Sequence, residues 1–229
     1  MALSAAPVMR MYRTSIGKKV IMAVTGAIGV GFLIAHIYGN LHVYEGAEKF
    51  NEYGHFLRIV GAPIFGDTQL LWILRAILLA SIALHITCMV QLWQQSSASR
   101  PVAYVKRKDT RARISSLTMR IGGIIILAFI VIHLANLTWG WLHPSFIEGD
   151  VYHNVIALFQ IWPVTIFYIV AMLAVGFHLD HGTWSLFQTL GFRNSRNNML
   201  LRRGATGLAI VFVIASCAVP LSALFRIIS

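Results

Sequence analysis

The chain has 229 residues, of which 57% are hydrophobic and only 12% charged, with a formal net charge of +11. A soluble domain carries about twice that fraction of charge, so the composition excludes an ordinary water-soluble enzyme and points to an integral membrane protein. No C-x-x-C-H stretch occurs, which excludes a covalently attached c-type haem. The two cysteines, Cys88 and Cys217, lie far apart in apolar stretches and read as small buried hydrophobes.

In chain order, basic residues precede an apolar run that is too long for a signal-peptide h-region and is not closed by an A-x-A-like site, so it is expected to be a retained span. Five segments, at about 20–41, 70–93, 121–141, 157–179 (its start open between Val155 and Trp162) and 205–225, reach the roughly 20 residues needed to cross a hydrocarbon core of about 30 Å. A lone span in lipid must satisfy its own backbone hydrogen bonds, so each is expected to be helical. Tryptophans and tyrosines cluster near the ends, as interfacial anchors do. The connection after the first span contains EGAEKFNEYGHFLRIVGAP, which is expected to carry a short interfacial helix before its Gly-Pro exit. A second long polar connection runs from 94 to 118. No repeat or low-complexity tract appears, and 1–229 reads as a single all-α membrane domain, a bundle of five transmembrane helices.

Lysine and arginine in short loops stay on the cytoplasmic side. All but Lys49, Arg58, Arg75 and Arg226 fall before the first span (Arg10, Arg13, Lys18, Lys19), between the second and third (Arg100, Lys106, Arg107, Lys108, Arg111, Arg113, Arg120) or between the fourth and fifth (Arg193, Arg196, Arg202, Arg203). Six of the eight acids, Glu45, Glu48, Glu52, Asp67, Glu148 and Asp150, lie on the other side. The N-terminus is therefore expected in the cytoplasm and the C-terminus outside. Topology accounts for most of the positive charge, which removes the case for nucleic-acid binding. The basic face remains available to an acidic or polar cytoplasmic partner, or to anionic headgroups.

Four of the nine histidines lie one to a span: His36, His85, His133 and His178. Ionisable side chains inside a membrane are rare and usually functional. At 1.5 Å per residue, His36 sits roughly 24 Å and His133 roughly 18 Å above the inner edge, while His85 and His178, on descending helices, sit some 6 to 8 Å above it. The histidines thus form two pairs at matched depths. Two facing imidazoles are what a six-coordinate b haem requires, and the neutral ring favoured by burial offers a lone pair to a metal. Small residues occur where a macrocycle would press: Gly26, Gly29 and Gly31, Gly122 and Gly123, Gly176, Gly204 and Gly207. A metal or proton pathway stays open as the other reading, and small-residue stretches of this kind more often mean plain helix packing than cofactor contact. His42, His55, His143, His153 and His181 fall at span ends or in loops, where interfacial or solvated roles are the default.

The stretch RTSIGKKVIMAVTGAIGVGFLIAHIYGNL resembles the opening of the cytochrome b membrane-anchor subunit of succinate dehydrogenases and fumarate reductases, in its single-chain, five-helix, dihaem form. LHITCM, VIHLANLTW and VGFHLDHGTWSLFQTLG resemble its other histidine-bearing segments, so the likeness covers nearly the whole chain. The resemblance implies a multi-pass protein of the cytoplasmic membrane. It would anchor a flavoprotein with covalent FAD and an iron–sulfur subunit, and pass electrons through two b haems to a quinone, usually menaquinone. It also implies that His85 and His178 hold the proximal haem and His36 and His133 the distal one, the pairing that depth gives. The basic inner loops would face the iron–sulfur subunit. Some fumarate reductases of this type have a glutamate two residues before the fourth ligand; here that position is Gly176, which puts a proton pathway of that design in doubt.

Asn40, Glu45, Glu52 and His55, near the outer end of the first span, are candidates to bind the quinone ring and exchange its protons, against the alternative of a solvated loop. Arg75 is a candidate partner of a distal-haem propionate, with snorkelling to headgroups as the competing reading. Two other functions compete. One is a cytochrome b subunit of a hydrogenase or formate dehydrogenase. The other is a histidine-based metal or proton transporter, which would call for acids beside the histidines; Asp180 is the nearest.

Overall fold

A computed structural model describes residues 6–99 and 111–229, and every regular element in it is helical. A short helix α1 (Ala6–Arg13) leads into α2 (Ser15–Leu41), followed by a 3-10 turn (His42–Glu45), α3 (Ala47–Ile59), α4 (Gln69–Ala98), α5 (Arg111–Leu137), α6 (Val151–Phe159), α7 (Trp162–Thr189) and α8 (Asn198–Leu224). Five of these, α2, α4, α5, α7 and α8, contain stretches long and apolar enough to cross a membrane. The expected helix within the first long connection is α3. Arg100, Lys106, Arg107 and Lys108 of the second connection lie outside the described residues, as do the side chains of Arg111 and Arg113.

Local chemistry sets the boundaries. Thr14 caps α2 by accepting the Gly17 N–H at 2.9 Å, and Asp150 caps α6 by accepting the His153 N–H at 2.9 Å. One expected span limit shifts and one open start is fixed. The third span, placed to 141, stops at Leu137: Gly140 takes φ +70, a conformation that ends a helix and suits glycine, and Trp139 stacks on Trp141 in the turn that follows. The fourth span, whose start the sequence leaves at Val155 or Trp162, starts at Trp162. Pro163 has no N–H and its ring would collide with the carbonyl four residues back. Residues 157–159 therefore belong to the separate helix α6, and the Phe159 carbonyl accepts the Thr165 hydroxyl at 2.6 Å instead.

Side-chain bonds between elements define two ends of the bundle. At the end where α2 begins, the Tyr12 hydroxyl bonds the Gln91 amide of α4, and Arg202 at the start of α8 pairs with Asp180 late in α7 at 2.6 Å. At the opposite end Tyr44 bonds Ser222, and Asn51 of α3 donates to Asp150 at 3.0 Å. The first is called the near end below and the second the far end.

Packing is uneven. At the far end α6 is folded inward, and Leu158 and Phe159 join Val43, Phe50, Phe129, Tyr168 and Val219 in one buried cluster. Farther along, Val175 and Leu179 of α7 interlock with Ala209 and Phe212 of α8. Of the most apolar window of each span, 39% is buried in α7 and in α8 but only 11% in α2, α4 and α5. Part of that exposed surface faces outward, as apolar residues facing lipid do. The rest lines a cavity.

Candidate functional site: two facing histidine pairs

The cavity has a volume of about 3690 Å³, and all four span histidines are on its wall. Close-packed interiors contain few voids larger than a water molecule, and a pocket for a small organic ligand is typically about 300–1,000 Å³. The space is open along the bundle rather than sealed, so its size alone does not identify an occupant; what matters is that the four histidines share its wall.

The histidines meet in twos. His36 of α2 and His133 of α5 have ring centroids 5.8 Å apart with planes at 89°. His85 of α4 and His178 of α7 have centroids 6.3 Å apart with planes at 54°. Two imidazoles on opposite sides of one metal ion, with metal–nitrogen bonds of about 2 Å, hold their centroids roughly 6 Å apart. Both pairs match that spacing. Among the described residues, the helices that supply each pair, α2 with α5 and α4 with α7, have no extensive direct contact; they are held together through α2 and α7. Each pair therefore faces across a gap.

The levels of the pairs follow from helix rise. Thr25 of α2 touches His85, and His36 comes eleven residues later, about 17 Å along the axis. On α7, Tyr168 lies against His133, and His178 comes ten residues later, about 15 Å. The two estimates agree on two separate levels. The pairing made from depth is the pairing in the structure.

The surroundings of the rings differ. At the far level Phe32 stacks on His36 at 5.3 Å, and Phe129 and Tyr168 lie 5.5 and 5.9 Å from His133. At the near level His85 Nδ1 is 3.1 Å from the Thr25 hydroxyl. His133 Nδ1 and His178 Nδ1 are buried without a hydrogen-bond partner. Buried polar atoms are nearly always satisfied, so each pair contains one ring whose hydrogen bonding the polypeptide leaves incomplete. The spacing and the gap fit an iron macrocycle held by His36 and His133, and a second by His85 and His178. Among the described residues no three of His, Cys, Asp or Glu come together as a metal site. The chain matches no family model, no curated protein and no solved structure.

The glycines divide into two groups. Gly26, Gly29 and Gly123 line the cavity. Gly176 instead receives Val213 of α8 and belongs to helix packing, and Gly31, Gly122, Gly204 and Gly207 are outside the cavity wall. Arg75 lines the cavity, with its guanidinium 5.0 Å from the Trp72 ring.

Of the four residues suggested for a quinone, only Asn40 reaches the cavity. Glu45 turns to His42 at 2.9 Å and Lys49 at 4.0 Å, while Glu52 and His55 are exposed and off the wall. The structure does not bring the four together. Tyr53, Arg58 and Glu148 line the cavity with Asn40. Tyr53 stacks on His42 at 4.6 Å, and burial, reinforced by Tyr38, raises its phenol above the ordinary value of 10.0. Sequence reasoning missed Tyr53 and Thr25. The signal for Thr25 was available, because it lies roughly 8 Å into the first span, the depth estimated for His85.

Proposed function

We propose that this chain is the dihaem cytochrome b anchor of a succinate:quinone oxidoreductase, with one b haem between His85 and His178 and the other between His36 and His133. The observation that carries this reading is the pair of imidazole couples, each spaced for one metal ion and each bridging helices that, among the described residues, have no extensive direct contact. Bound there, the haems would supply one-electron transfer between the two levels. The residues do the rest. The four rings would hold iron from both faces, and the aromatic side chains at the far level restrict ring rotation. Metal sites built from protein side chains alone use three or more ligands, whereas these histidines occur in twos, and Asp180, the nearest acid, is already paired with Arg202 and Thr206. That favours the haem reading over the transporter.

In this proposal the near end lies in the cytoplasm, in the cytoplasmic membrane, with the flavoprotein and iron–sulfur subunits docked on its basic face. A quinone, menaquinone in the usual form of the family, exchanges electrons and protons near the far level, where Asn40, Tyr53, Arg58 and Glu148 share the cavity wall. Arg75, ten residues and about 15 Å before His85 on α4, is at the height of the far pair and suited to a propionate there.

The purified protein is expected to give a reduced-minus-oxidised spectrum with b-type bands and two haems per chain by haemochrome assay. A chain without b-type bands refutes the assignment. Addition of succinate to the intact complex is expected to reduce the haems; reduction by hydrogen or formate instead identifies the related respiratory enzymes.

A further inference from the structure

We propose that Thr25 is the positioning residue that makes His85 a ligand through Nε2, an inference that rests on the dihaem reading above. Thr25 is buried, 8% exposed, on the face of α2 toward α4. Its Oγ1 lies 2.8 Å from the Ile21 carbonyl and 3.2 Å from the Met22 carbonyl, and 3.1 Å from His85 Nδ1. A hydroxyl has one hydrogen, and a carbonyl can only accept. With that hydrogen directed to the backbone, Oγ1 meets the imidazole as an acceptor, and the Met22 carbonyl, which also accepts from the His85 ring, shares the task, so Nδ1 carries the ring proton. A neutral imidazole protonated at Nδ1 has its lone pair on Nε2. The tautomer is assigned here from the hydrogen-bond pattern.

The neighbouring residue completes the cradle. A Cβ at Gly26 would already touch His85 Cε1 at 3.6 Å and Nδ1 at 3.9 Å, so glycine lets the Nδ1 edge of the ring lie close against α2. The hydroxyl then fixes which edge faces the helix and which faces the cavity. Hydrogen bonds of this kind orient a metal-bound histidine and raise its basicity. No other span histidine has a recorded side-chain hydrogen bond to its Nδ1 among the described residues. The device is specific to one of the two haems.

Two variants and two readouts test it, with the haem-containing complex. Thr25→Val keeps the shape and removes the hydroxyl; Thr25→Ser keeps the hydroxyl. In an optical redox titration, T25V is expected to raise the midpoint potential of one haem, because a less basic ligand favours the reduced iron, and to weaken retention of that haem by about 10-fold or more. The other haem is expected to stay unchanged, and T25S to behave as the parent. Unaltered potentials and haem content in T25V overturn the proposal, and so do equal shifts of both haems, which a general loosening of the bundle would cause. The second readout needs no haem. In ¹⁵N-histidine-labelled chain, with His85 assigned by its loss in His85→Gln, the ring nitrogen shifts are expected to report Nδ1–H in the parent and in T25S, and a mixture in T25V. An Nε2–H tautomer in the haem-free parent overturns the role of Thr25. A parent without b-type bands refutes the dihaem reading and leaves the nitrogen shifts to decide on Thr25.

Discussion

The two histidine pairs have nearly the same spacing but are held by different forces. At the near level a polar anchor from α2 engages one ring, His85. At the far level Phe32, Phe129 and Tyr168 wall the rings of His36 and His133. A hydrogen bond fixes both the orientation and the tautomer of an imidazole. Stacking fixes orientation alone, because an aromatic face barely distinguishes the two ring nitrogens. On the dihaem reading proposed above, the polypeptide by itself would select the ligating nitrogen of His85, whereas at the far level an incoming metal would select it.

The largest expected effect breaks one level and spares the other. His85→Leu and His36→Leu are each expected to reduce the bound haem from two per chain to one, with different bands lost in the two variants. Loss of both haems from either single variant would show that the levels are not independent. Next comes the difference between tight packing and open cavity. Gly176 is filled by Val213, so Gly176→Leu forces α7 from α8; overpacking of this kind costs about 1–3 kcal/mol and is expected to lower the melting temperature of the chain. Gly29 has no atom within 4 Å of a Cβ built there and lines the cavity. Gly29→Leu is expected to leave the fold intact and to lower haem content, and a large loss of thermal stability in this variant would contradict that.

Much of this plan was legible in the sequence. Composition and run length gave five spans, and counting helix rise from span edges placed each histidine opposite the partner it has in the structure. Two kinds of information were not legible. Residues 157–159 are as apolar as the span they precede, so run length left the start open between Val155 and Trp162, and the collision of Pro163 with the preceding turn assigns them to α6. The direction a side chain takes at a helix end also escapes counting. Glu45, Glu52 and His55 are near Asn40 in sequence, yet the 3-10 turn and Gly46, at φ +97, rotate α3 so that Tyr53 and Arg58 face the cavity instead. Gly176 shows the same limit, since small residues signal a close approach without saying whether a helix or a cofactor makes it.

The smallest expected effect concerns how the far end is tied. Asp150 Oδ1 accepts the His153 N–H at 2.9 Å and the Asn51 amide at 3.0 Å, joining α6 to α3 beneath the far pair. These bonds, the backbone one first, hold the carboxyl below its ordinary value of 3.8. A carboxylate with a depressed value in the folded state stabilises that state above its unfolded value, and the contribution disappears as pH falls through the folded one. The stabilisation is therefore complete near neutrality and declines only below about pH 4. Asp150→Ala is expected to cost about 1 kcal/mol at neutral pH, typical for loss of a helix cap, and to flatten the acid limb of a melting-temperature profile. The near level is remote from this tie, so the haem retained in His36→Leu should keep its potential when Asp150→Ala is added. A shift in that potential would mean that the two levels share a strain the hydrogen bonds do not reveal.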